Sequence, residues 1–363
     1  MNGFAVVEKF NIDGRVISSV PYGSGHINDT HFVCVELDGK TENYILQTIN
    51  TSVFKNPEAL MENYVRVTDY IREKIKEIGG DPEREVLSVI KTRDGENFYR
   101  SEDGKCWRLL NFITDSVCYD KVENSEQFYQ SAVAFGKFQY MLRDFPAEKL
   151  YEIIPDFHNT PDRVRLFEEA LEKDVSKRAD GVKREIDFVL SRREFSRTLE
   201  TARAEGRLPL RVTHNDTKLN NILFDKKTGE PLCVIDLDTI MPGYSVNDFG
   251  DAIRFGATTA AEDECDLEKV NFDISLYELY VKGFLLGTSG ELTECEIDLL
   301  PIGAIMMTYE CGMRFLTDYL SGDTYFKTSR PGHNLDRARN QFKLVEDMEK
   351  ELGNMRKIIE KYR

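Results

Sequence analysis

Three oxygen-bearing side chains near the middle of the chain have a spacing that suits phosphoryl transfer. Asn221 follows Asp216 by five residues, and Asp236 follows it by twenty. This chemistry needs one carboxylate to orient a hydroxyl and oxygen ligands to hold Mg²⁺. We therefore expect Asp216 to orient the attacking hydroxyl, and Asn221 and Asp236 to bind Mg²⁺. Lys218 is placed to touch the transferring phosphate, and we predict it as a second catalytic residue.

The sequence around these residues predicts a β-hairpin. Ile222-Leu-Phe224 and Leu232–Ile235 are short apolar strands, and Lys227-Thr-Gly-Glu230 between them is typical of a tight turn. The alternative interpretation is structural: the Asp and Asn side chains would serve turns, and His214 would be a hydrogen-bonded core histidine. Three matched spacings favour the functional interpretation over a single chance motif.

Near the start of the chain, Gly23-Ser24-Gly25 stands between two predicted strands. Glycines in such a loop let backbone amides approach a phosphate, so these three residues are predicted to bind the nucleotide. A Gly-x-Gly turn alone is a weak signal. Its place ahead of the strand Tyr44-Ile-Leu-Gln47 and of the remote Asp216 motif strengthens it.

The order His214-x-Asp216-x₄-Asn221 followed by Ile235-Asp-x-Asp238 resembles the aminoglycoside phosphotransferase and choline kinase branch of the protein-kinase-like superfamily. Other segments are similar to the N-acetylhexosamine 1-kinases, and the similarity runs from about Tyr22 to the last helix. These segments are Gly23–Thr30, Tyr44–Gln47, Thr213–Ile222, Ile235–Gly243, Asp248–Gly256, Glu310–Tyr319 and His333–Arg337.

The resemblance and the pattern of elements imply a two-lobed, protein-kinase-like α+β fold. Residues 1–113 are predicted to form a small antiparallel β lobe of five strands and one helix that binds the nucleotide. Asp38-Gly39 is predicted to close a hairpin, and Asn56-Pro57 to open the helix.

Residues 114–363 are predicted to form a larger, mainly helical lobe for catalysis and substrate binding. Its first helix has a predicted buried face, since apolar residues recur every three or four positions at Phe128, Ala132, Phe135, Phe138 and Leu142. The implied activity transfers phosphate from ATP, with Mg²⁺, to O1 of GlcNAc or GalNAc and gives the α-1-phosphate.

The resemblance also implies which residues meet the acceptor: Asp216, His26, Arg314 and Tyr325. His26 would reach the sugar or the phosphates, although an exposed loop histidine is nearly as well supported. Arg314 sits in an apolar helical stretch, where a charge needs a partner or a ligand. Its alternative is an ion pair at helical spacing with Glu310 or Asp318. His333 and Arg337 are weaker candidates.

One position departs from the wider superfamily. The third strand normally carries a lysine for the ATP phosphates, but this chain has Gln47, and Glu62 on the next helix lacks the cation it would pair with. Either Mg²⁺ and other cations neutralise the charge of the ATP phosphates, or the chain is a pseudokinase that binds nucleotide without transfer. Gln47 is still predicted to contact the nucleotide, as is Asn111 on the segment expected to connect the lobes.

Three further acidic residues do not fit the metal spacing. Asp238 could bind a second metal, support the first or contact the acceptor. Asp248-Phe-Gly has the same letters as the metal-binding Asp-Phe-Gly motif of protein kinases. By its distance from Asp216, however, Asp236 is the residue equivalent to the Asp of that motif. Asp248 and Asp251 are therefore predicted to cap or brace the helix that follows.

Composition limits the partners. The net charge of −16 argues against nucleic acid and anionic membranes. The seven cysteines are scattered, with no C-x-x-C pair, which is typical of free thiols in a reducing compartment. No segment looks like a signal peptide or a membrane span, so a cytoplasmic enzyme with ATP and a small sugar as partners is expected. The oligomeric state stays open.

Other functions remain open at this stage. The same chemistry could serve choline, homoserine, another sugar or an aminoglycoside. The net negative charge of the chain would suit a cationic acceptor, whereas the positive charge of Arg314 in the acceptor pocket would not. A nucleotide-binding pseudokinase draws its support from Gln47. A pure interaction protein gives no reason for the spacing of Asp216, Asn221 and Asp236.

Overall fold

The computed structural model of the chain describes residues 3–23 and 27–363. The chain forms two compact units. The first unit consists of Met1–Cys118, Asp144–Ile154 and Ile222–Pro242, and the second consists of Tyr119–Arg143, Pro155–Asn221 and Gly243–Arg363. The predicted division into lobes at residues 113 and 114 stays a prediction.

The described strands are numbered in chain order. They are β1 (Arg15–Pro21), β2 (Thr30–Leu37), β3 (Lys40–Ile49), β4 (Val89–Ile90), β5 (Tyr99–Arg100), β6 (Cys106–Asn111), β7 (Ser116–Val117), β8 (Arg211–Thr213), β9 (Ile222–Asp225), β10 (Pro231–Val234) and β11 (Met241–Gly243).

The described α-helices are α1 (Gly3–Val7), α2 (Pro57–Glu77), α3 (Ser125–Met141), α4 (Thr160–Lys173), α5 (Lys183–Ser191), α6 (Thr198–Ala204), α7 (Ser245–Gly256), α8 (Ile274–Thr288), α9 (Glu294–Leu320) and α10 (His333–Tyr362). None of the helices in the described part of the chain is long and apolar enough to cross a membrane.

An antiparallel sheet of six strands dominates the first unit, in the order β1-β2-β3-β6-β4 with β5 also paired to β6. The turn between β2 and β3 is Asp38-Gly39, and both residues have positive φ (51° and 75°). This is the backbone that a tight hairpin turn needs. The sequence predicted five strands and one helix before residue 114, whereas the described residues there form six strands and two α-helices, α1 and α2. Strands β4 and β5 have two residues each and are too short to show alternation.

Helix α2 begins where the sequence predicted it. The Asn56 side chain accepts a hydrogen bond from the backbone N–H of Ala59, and Pro57 fills the first helical position. The buried face of α2 includes Tyr64, Val67 and Ile71. The predicted catalytic hairpin is also confirmed, since β9 and β10 pair in an antiparallel sheet in which β7 is the third strand.

Helices make up most of the second unit. Phe128, Ala132, Phe135 and Phe138 form a buried face of α3, as their spacing predicted. Helices α3 and α8 approach so closely that a Cβ built on Gly287 would lie 2.8 Å from the Cα of Gly136. The prediction of an α+β fold with an antiparallel sheet and a helical region is thereby confirmed.

Candidate active site

The structure brings together three predicted residues of the second unit, on the loop after β8. The Asn221 side-chain amide donates to the carbonyl oxygen of Asp216 at 2.8 Å and to its Oδ2 at 3.0 Å. The Lys218 ammonium lies 2.6 Å from the other carboxylate oxygen, Oδ1. About a third of the side chains of Asp216 and Lys218 is exposed (29% and 33%), so both are accessible to a substrate.

Two acidic residues of α7 hold this loop in place. Asp248 is buried, and its carboxylate accepts from the backbone N–H groups of His214 (2.9 Å) and Asn215 (2.8 Å) and from the Gln139 amide (2.8 Å). Asp251 accepts from the backbone N–H of Thr217 at 3.0 Å.

The prediction that these two residues cap or brace the helix that follows them holds for Asp251, which also pairs with Arg254 of α7 at 2.9 Å. It was wrong in its target for Asp248, whose carboxylate accepts from the loop and from Gln139. Both acidic residues lie within α7, three positions apart and thus on one helix face. That face contacts the loop that carries Asp216. A sequence pattern shows the shared face but does not show which distant segment the face meets.

The charges around Lys218 keep it protonated. Burial would lower the pKa of Lys218, but Asp216 and Asp251 outweigh this effect and raise it. Burial alone would likewise raise the pKa of Asp251, yet Arg254 and Lys218 hold it below its ordinary value. Burial raises the pKa of Asp248, against the opposing effect of His214 and the loop amides. The loop thus presents one ammonium group beside one accessible carboxylate.

The two predicted Mg²⁺ ligands, Asn221 and Asp236, belong to different compact units. The Asn221 side chain donates its amide N–H groups to Asp216, and the amide oxygen is the atom that could accept a cation. In the first unit, Asp236 has a left-handed backbone (φ 59°), which is uncommon outside glycine and concentrates at functional sites. The described residues contain no cluster of three or more His, Cys, Asp or Glu side chains that could hold a metal. Amide and carboxylate oxygens are ligand types that Mg²⁺ accepts, and the role of both residues as Mg²⁺ ligands stays a prediction.

The predicted nucleotide-binding residues belong to the first unit. Gly23 has a positive φ of 80°, whereas Ser24, Gly25 and His26 lie outside the described residues. The Gln47 amide accepts from Arg108 Nε at 2.9 Å and donates to the Thr30 hydroxyl at 3.0 Å. Asn111 Oδ1 accepts from the backbone N–H of Ser88 at 2.7 Å. Both amides therefore have structural partners, and their contact with a nucleotide stays a prediction.

Sequence reasoning missed an aromatic cluster beside Asn111. Phe32 and Phe112 meet edge to face at 4.9 Å between ring centroids, and Tyr22 lies 5.8 Å and 6.0 Å from them. Tyr22 is half exposed. Exposed aromatic faces can stack on a base. The three residues are spread over 90 positions of the sequence, so no local pattern reveals them.

Asp238 is not available as a simple metal ligand in this structure. Its Oδ1 pairs with the guanidinium of Arg108, and its Oδ2 accepts from the Asn28 amide at 2.5 Å. Only 5% of its side chain is exposed. Of the alternatives left open by the sequence, the structure favours a supporting role.

Arg314, in the second unit, lies among aromatic rings. Its guanidinium carbon is 5.5 Å from the ring centroids of Phe157 and Phe326 and 6.0 Å from that of Tyr325. Tyr325 is largely exposed. Two of the predicted acceptor residues, Arg314 and Tyr325, are thus neighbours. The rings at 157 and 326 were missed, because nothing near either one in the sequence indicates this contact.

The alternative of an intrahelical ion pair is not formed. Among the described residues, Arg314 has no salt bridge or hydrogen bond. Glu310 instead contacts His158 Nδ1 at 2.9 Å and accepts from the Thr160 hydroxyl at 2.7 Å. The Asp318 carboxylate accepts from three backbone N–H groups, those of residues 324–326.

A second guanidinium stands close to Arg314. Arg163 donates to the carbonyl oxygen of Phe157 at 2.8 Å, and its buried Nε has no partner among the described atoms. Burial, and then repulsion from Arg314, lowers the pKa of Arg163. Two cations that repel each other, one with an unsatisfied donor, favour a ligand rich in acceptor oxygens.

Comparison with known proteins agrees with this chemistry. The sequence profile of the phosphotransferase enzyme family (APH) matches residues 19–279, which is more than half of the chain. The chain belongs to the phosphotransferase enzyme family. Asp216, Lys218, Asn221 and Asp236 all lie within the matched part.

Solved structures show the same kinase-like fold. A microcompartment-associated aminopropanol kinase aligns with a TM-score of 0.65 at 16% identity, over 97% of each chain. Choline kinase from Cryptosporidium parvum aligns with a TM-score of 0.59 at 14% identity, over 97% of this chain and 95% of the other. A spectinomycin phosphotransferase, solved with ADP and spectinomycin, has a TM-score of 0.55 at 12% identity, over 93% and 94%. These likenesses confirm the protein-kinase-like fold.

Proposed function

We propose that this phosphotransferase uses ATP to phosphorylate O1 of an N-acetylhexosamine, GlcNAc or GalNAc, and forms the α-1-phosphate. Family membership supports transfer to a hydroxyl acceptor. The sequence resemblance described above supports the sugar. The observation that carries the acceptor class is Arg314, which stands beside Arg163 and forms no direct salt bridge or hydrogen bond among the described residues. The buried Glu310 carboxylate attracts both cations without contacting Arg314.

In the proposed reaction, Asp216 accepts the hydrogen bond, and finally the proton, of the anomeric hydroxyl. The new bond joins sugar O1 to the γ-phosphorus, and the bond from that phosphorus to the β–γ bridging oxygen breaks, so ADP leaves. Lys218 stabilises the charge on the transferring group. Asn221 and Asp236 would hold Mg²⁺, which neutralises phosphate charge when it is bound. Gly23, Ser24, Gly25, Gln47 and Asn111 are proposed to bind ATP, and His26 to reach the acceptor.

The surroundings of Arg314 argue against an ammonium-bearing acceptor. Aromatic faces can bind an ammonium ion, but here the guanidinium of Arg314 already lies over Phe157, Tyr325 and Phe326. Arg163 adds a second positive charge. Hydroxyl and carbonyl oxygens, such as those of an N-acetylated sugar, suit these donors better.

A substrate panel tests the proposal. ADP release with Mg·ATP would be measured on GlcNAc, GalNAc, glucose, galactose, choline, 1-amino-2-propanol, homoserine and kanamycin. We expect turnover on the N-acetylated sugars and its loss in Asp216→Asn, with the product identified as the 1-phosphate. Turnover on an amine alone would keep the reaction and overturn the acceptor. Nucleotide binding without ADP release on any acceptor would favour a pseudokinase.

The role of Arg314 is tested separately. Arg314→Ala should lower kcat/KM for the sugar about 10- to 100-fold, because charged hydrogen bonds to the acceptor are lost. Arg165→Ala is the matched control, since Arg165 is exposed on α4 and pairs with Asp162 and Glu169. Unchanged turnover in Arg314→Ala would count against the proposed acceptor site.

A further inference from the structure

The first unit contains a buried cation next to the strand position where a lysine is missing. Gln47 on β3 lies opposite Arg108 on β6 in the antiparallel pairing of the two strands. Arg108 Nε donates to the side-chain oxygen Oε1 of Gln47 at 2.9 Å. The Arg108 side chain is 1% exposed. The glutamine thus accepts a hydrogen bond from an arginine of the neighbouring strand, and the positive charge lies one strand away from its usual position.

Arg108 also contacts the segment that carries Asp236. Its Nη1 pairs with Oδ1 of Asp238, two residues after the proposed metal ligand. The second oxygen of Asp238 accepts from Asn28, whose own Oδ1 accepts from the backbone N–H of Asn50. The Arg108–Asp238 pair therefore joins β6 and the 237–239 turn to Asn28. In the sequence, Asn28 closely follows Gly23 and Gly25.

Helix α2 contributes to the same network. The Tyr64 ring lies 4.9 Å from the guanidinium carbon of Arg108. Asn63 donates to the carbonyl oxygen of Ile240 at 2.9 Å and to that of Tyr151 at 2.8 Å. Glu62, the acid expected to meet a strand lysine, pairs instead with Arg66 on its own helix. Contacts from β6 and α2 thus hold both Asp238 and Ile240.

We propose that Arg108 and Asp238 form a positioning ion pair that sets the geometry of the Asp236 segment. The inference rests on the proposed kinase function. Arg108 is too buried to contact a phosphate, and its Nε and Nη1 donate to Gln47 and Asp238. It acts through Asp236, as outer residues orient the ligands of a metal.

Stability alone is a weak reason for such a pair. Replacing a buried ion pair by packed apolar residues is often neutral or stabilising. This pair lies two residues from the left-handed Asp236, and both oxygens of Asp238 are used. A fully satisfied polar network of this kind fixes one arrangement of the groups that it joins.

The test uses Arg108→Gln, Asp238→Asn and the charge-conserving Arg108→Lys. Binding of a fluorescent N-methylanthraniloyl ATP is titrated without metal and then with increasing Mg²⁺, and kcat is measured on the acceptor that the wild type turns over. We expect the Mg²⁺ concentration for half-saturation to rise about 10- to 100-fold in the first two variants, with a matching fall in kcat. Metal-free nucleotide affinity should not change, and Arg108→Lys should recover part of the loss.

Three results would overturn the proposal. One is a folded Arg108→Gln with the Mg²⁺ dependence of the wild type. Another is an equal loss of metal-free nucleotide affinity, which would make Arg108 a direct phosphate contact. The third is a double variant whose losses add, since partners in one interaction should be non-additive. Arg15→Gln is the control, because Arg15 forms an exposed pair with Glu36 in the same sheet.

Two safeguards keep the outcomes separate. If thermal melts show that Arg108→Gln does not fold, Asn28→Ser removes the half-buried contact to Asp238 and should shift the Mg²⁺ requirement in the same direction. If the wild type releases no ADP on any acceptor, the proposed function fails. The nucleotide and Mg²⁺ titrations still decide the role of Arg108 in that case.

Discussion

At the scale of single residues, the loop after β8 concentrates opposite charges within one turn. Lys218 Nζ is 2.6 Å from Asp216, and Asn221 fixes the other carboxylate oxygen of Asp216. The carboxylate is therefore held in one orientation before any substrate binds. Preorganised groups of this kind need little rearrangement as charge develops in the reaction.

We predict that Lys218→Met lowers kcat about 10²- to 10³-fold with little change in KM, because the lost charge acts on the transferring phosphoryl group.

The pH dependence of kcat follows from the same lysine, since Asp216 and Asp251 raise the pKa of Lys218. The ammonium thus stays charged as pH rises past the ordinary lysine range, and wild-type kcat should show no alkaline loss below about pH 10. Initial rates across pH check both points. Lys183→Met, at an exposed site, is the control, and a wild-type kcat in Lys218→Met would contradict the assigned role.

The sequence was informative where function depends on residues close together in the chain. Asp216, Lys218 and Asn221 lie within six positions, and their hydrogen-bonded loop matches the predicted motif. Arg108 was missed because its partner Asp238 is 130 positions away. Arg163 was missed for the same reason, since it meets Arg314 only through the packing of the second unit. Long-range partners of buried charges leave no local pattern.

At the scale of elements, helix α7 supports the loop that carries Asp216. Asp248 accepts from two consecutive backbone N–H groups of the loop and from Gln139 on α3. A helix is rigid over this length, so it holds the loop at a fixed distance. The loop itself contains a non-glycine residue with positive φ, Asn215 at 63°, which needs such support.

We predict that Asp248→Asn lowers the free energy of unfolding by about 1–3 kcal/mol, since an amide places a donor where a backbone N–H needs an acceptor. Misplacement of Asp216 should also lower kcat about 10- to 100-fold. Denaturant unfolding and rates measured well below the melting temperature check the two effects. Asp298→Asn, at an exposed position on α9, is the control. A lower melting temperature with unchanged kcat would show that Asp248 stabilises the fold without positioning the loop.

Element prediction succeeded where a local signal was strong. Helix α2 has an Asn cap followed by proline, and the β2–β3 turn is Asp-Gly, so both were predicted from local chemistry. The bounds of strands β4 and β5 could not be predicted, since two residues are too few to show the alternation of buried and exposed side chains. The sequence also could not predict which segment α7 holds in place. That depends on which part of the chain packs against the helix face that carries Asp248 and Asp251.

At the scale of the whole molecule, the cysteines offer a test of both units. All seven are thiols and not disulfides, and they differ in exposure: Cys118 and Cys265 are exposed, whereas Cys106 and Cys233 are buried. Burial raises the pKa of Cys233 to about 12 and that of Cys311 to about 11. Thiolates are the reactive form, so these two thiols should be nearly inert while the fold is intact.

We therefore predict two rapidly labelled thiols in the native protein at mildly alkaline pH, measured with a chromogenic disulfide reagent. The double variant Cys118→Ser, Cys265→Ser should abolish the rapid phase. In denaturant without reductant, all seven should react, because no disulfide withholds any of them. Cys233 lies in the first unit and Cys311 in the second, so mass spectrometry of partly unfolded samples reports on each unit separately. Rapid labelling of Cys233 in the native protein, or fewer than seven reactive thiols after unfolding, would contradict this assignment of burial and redox state.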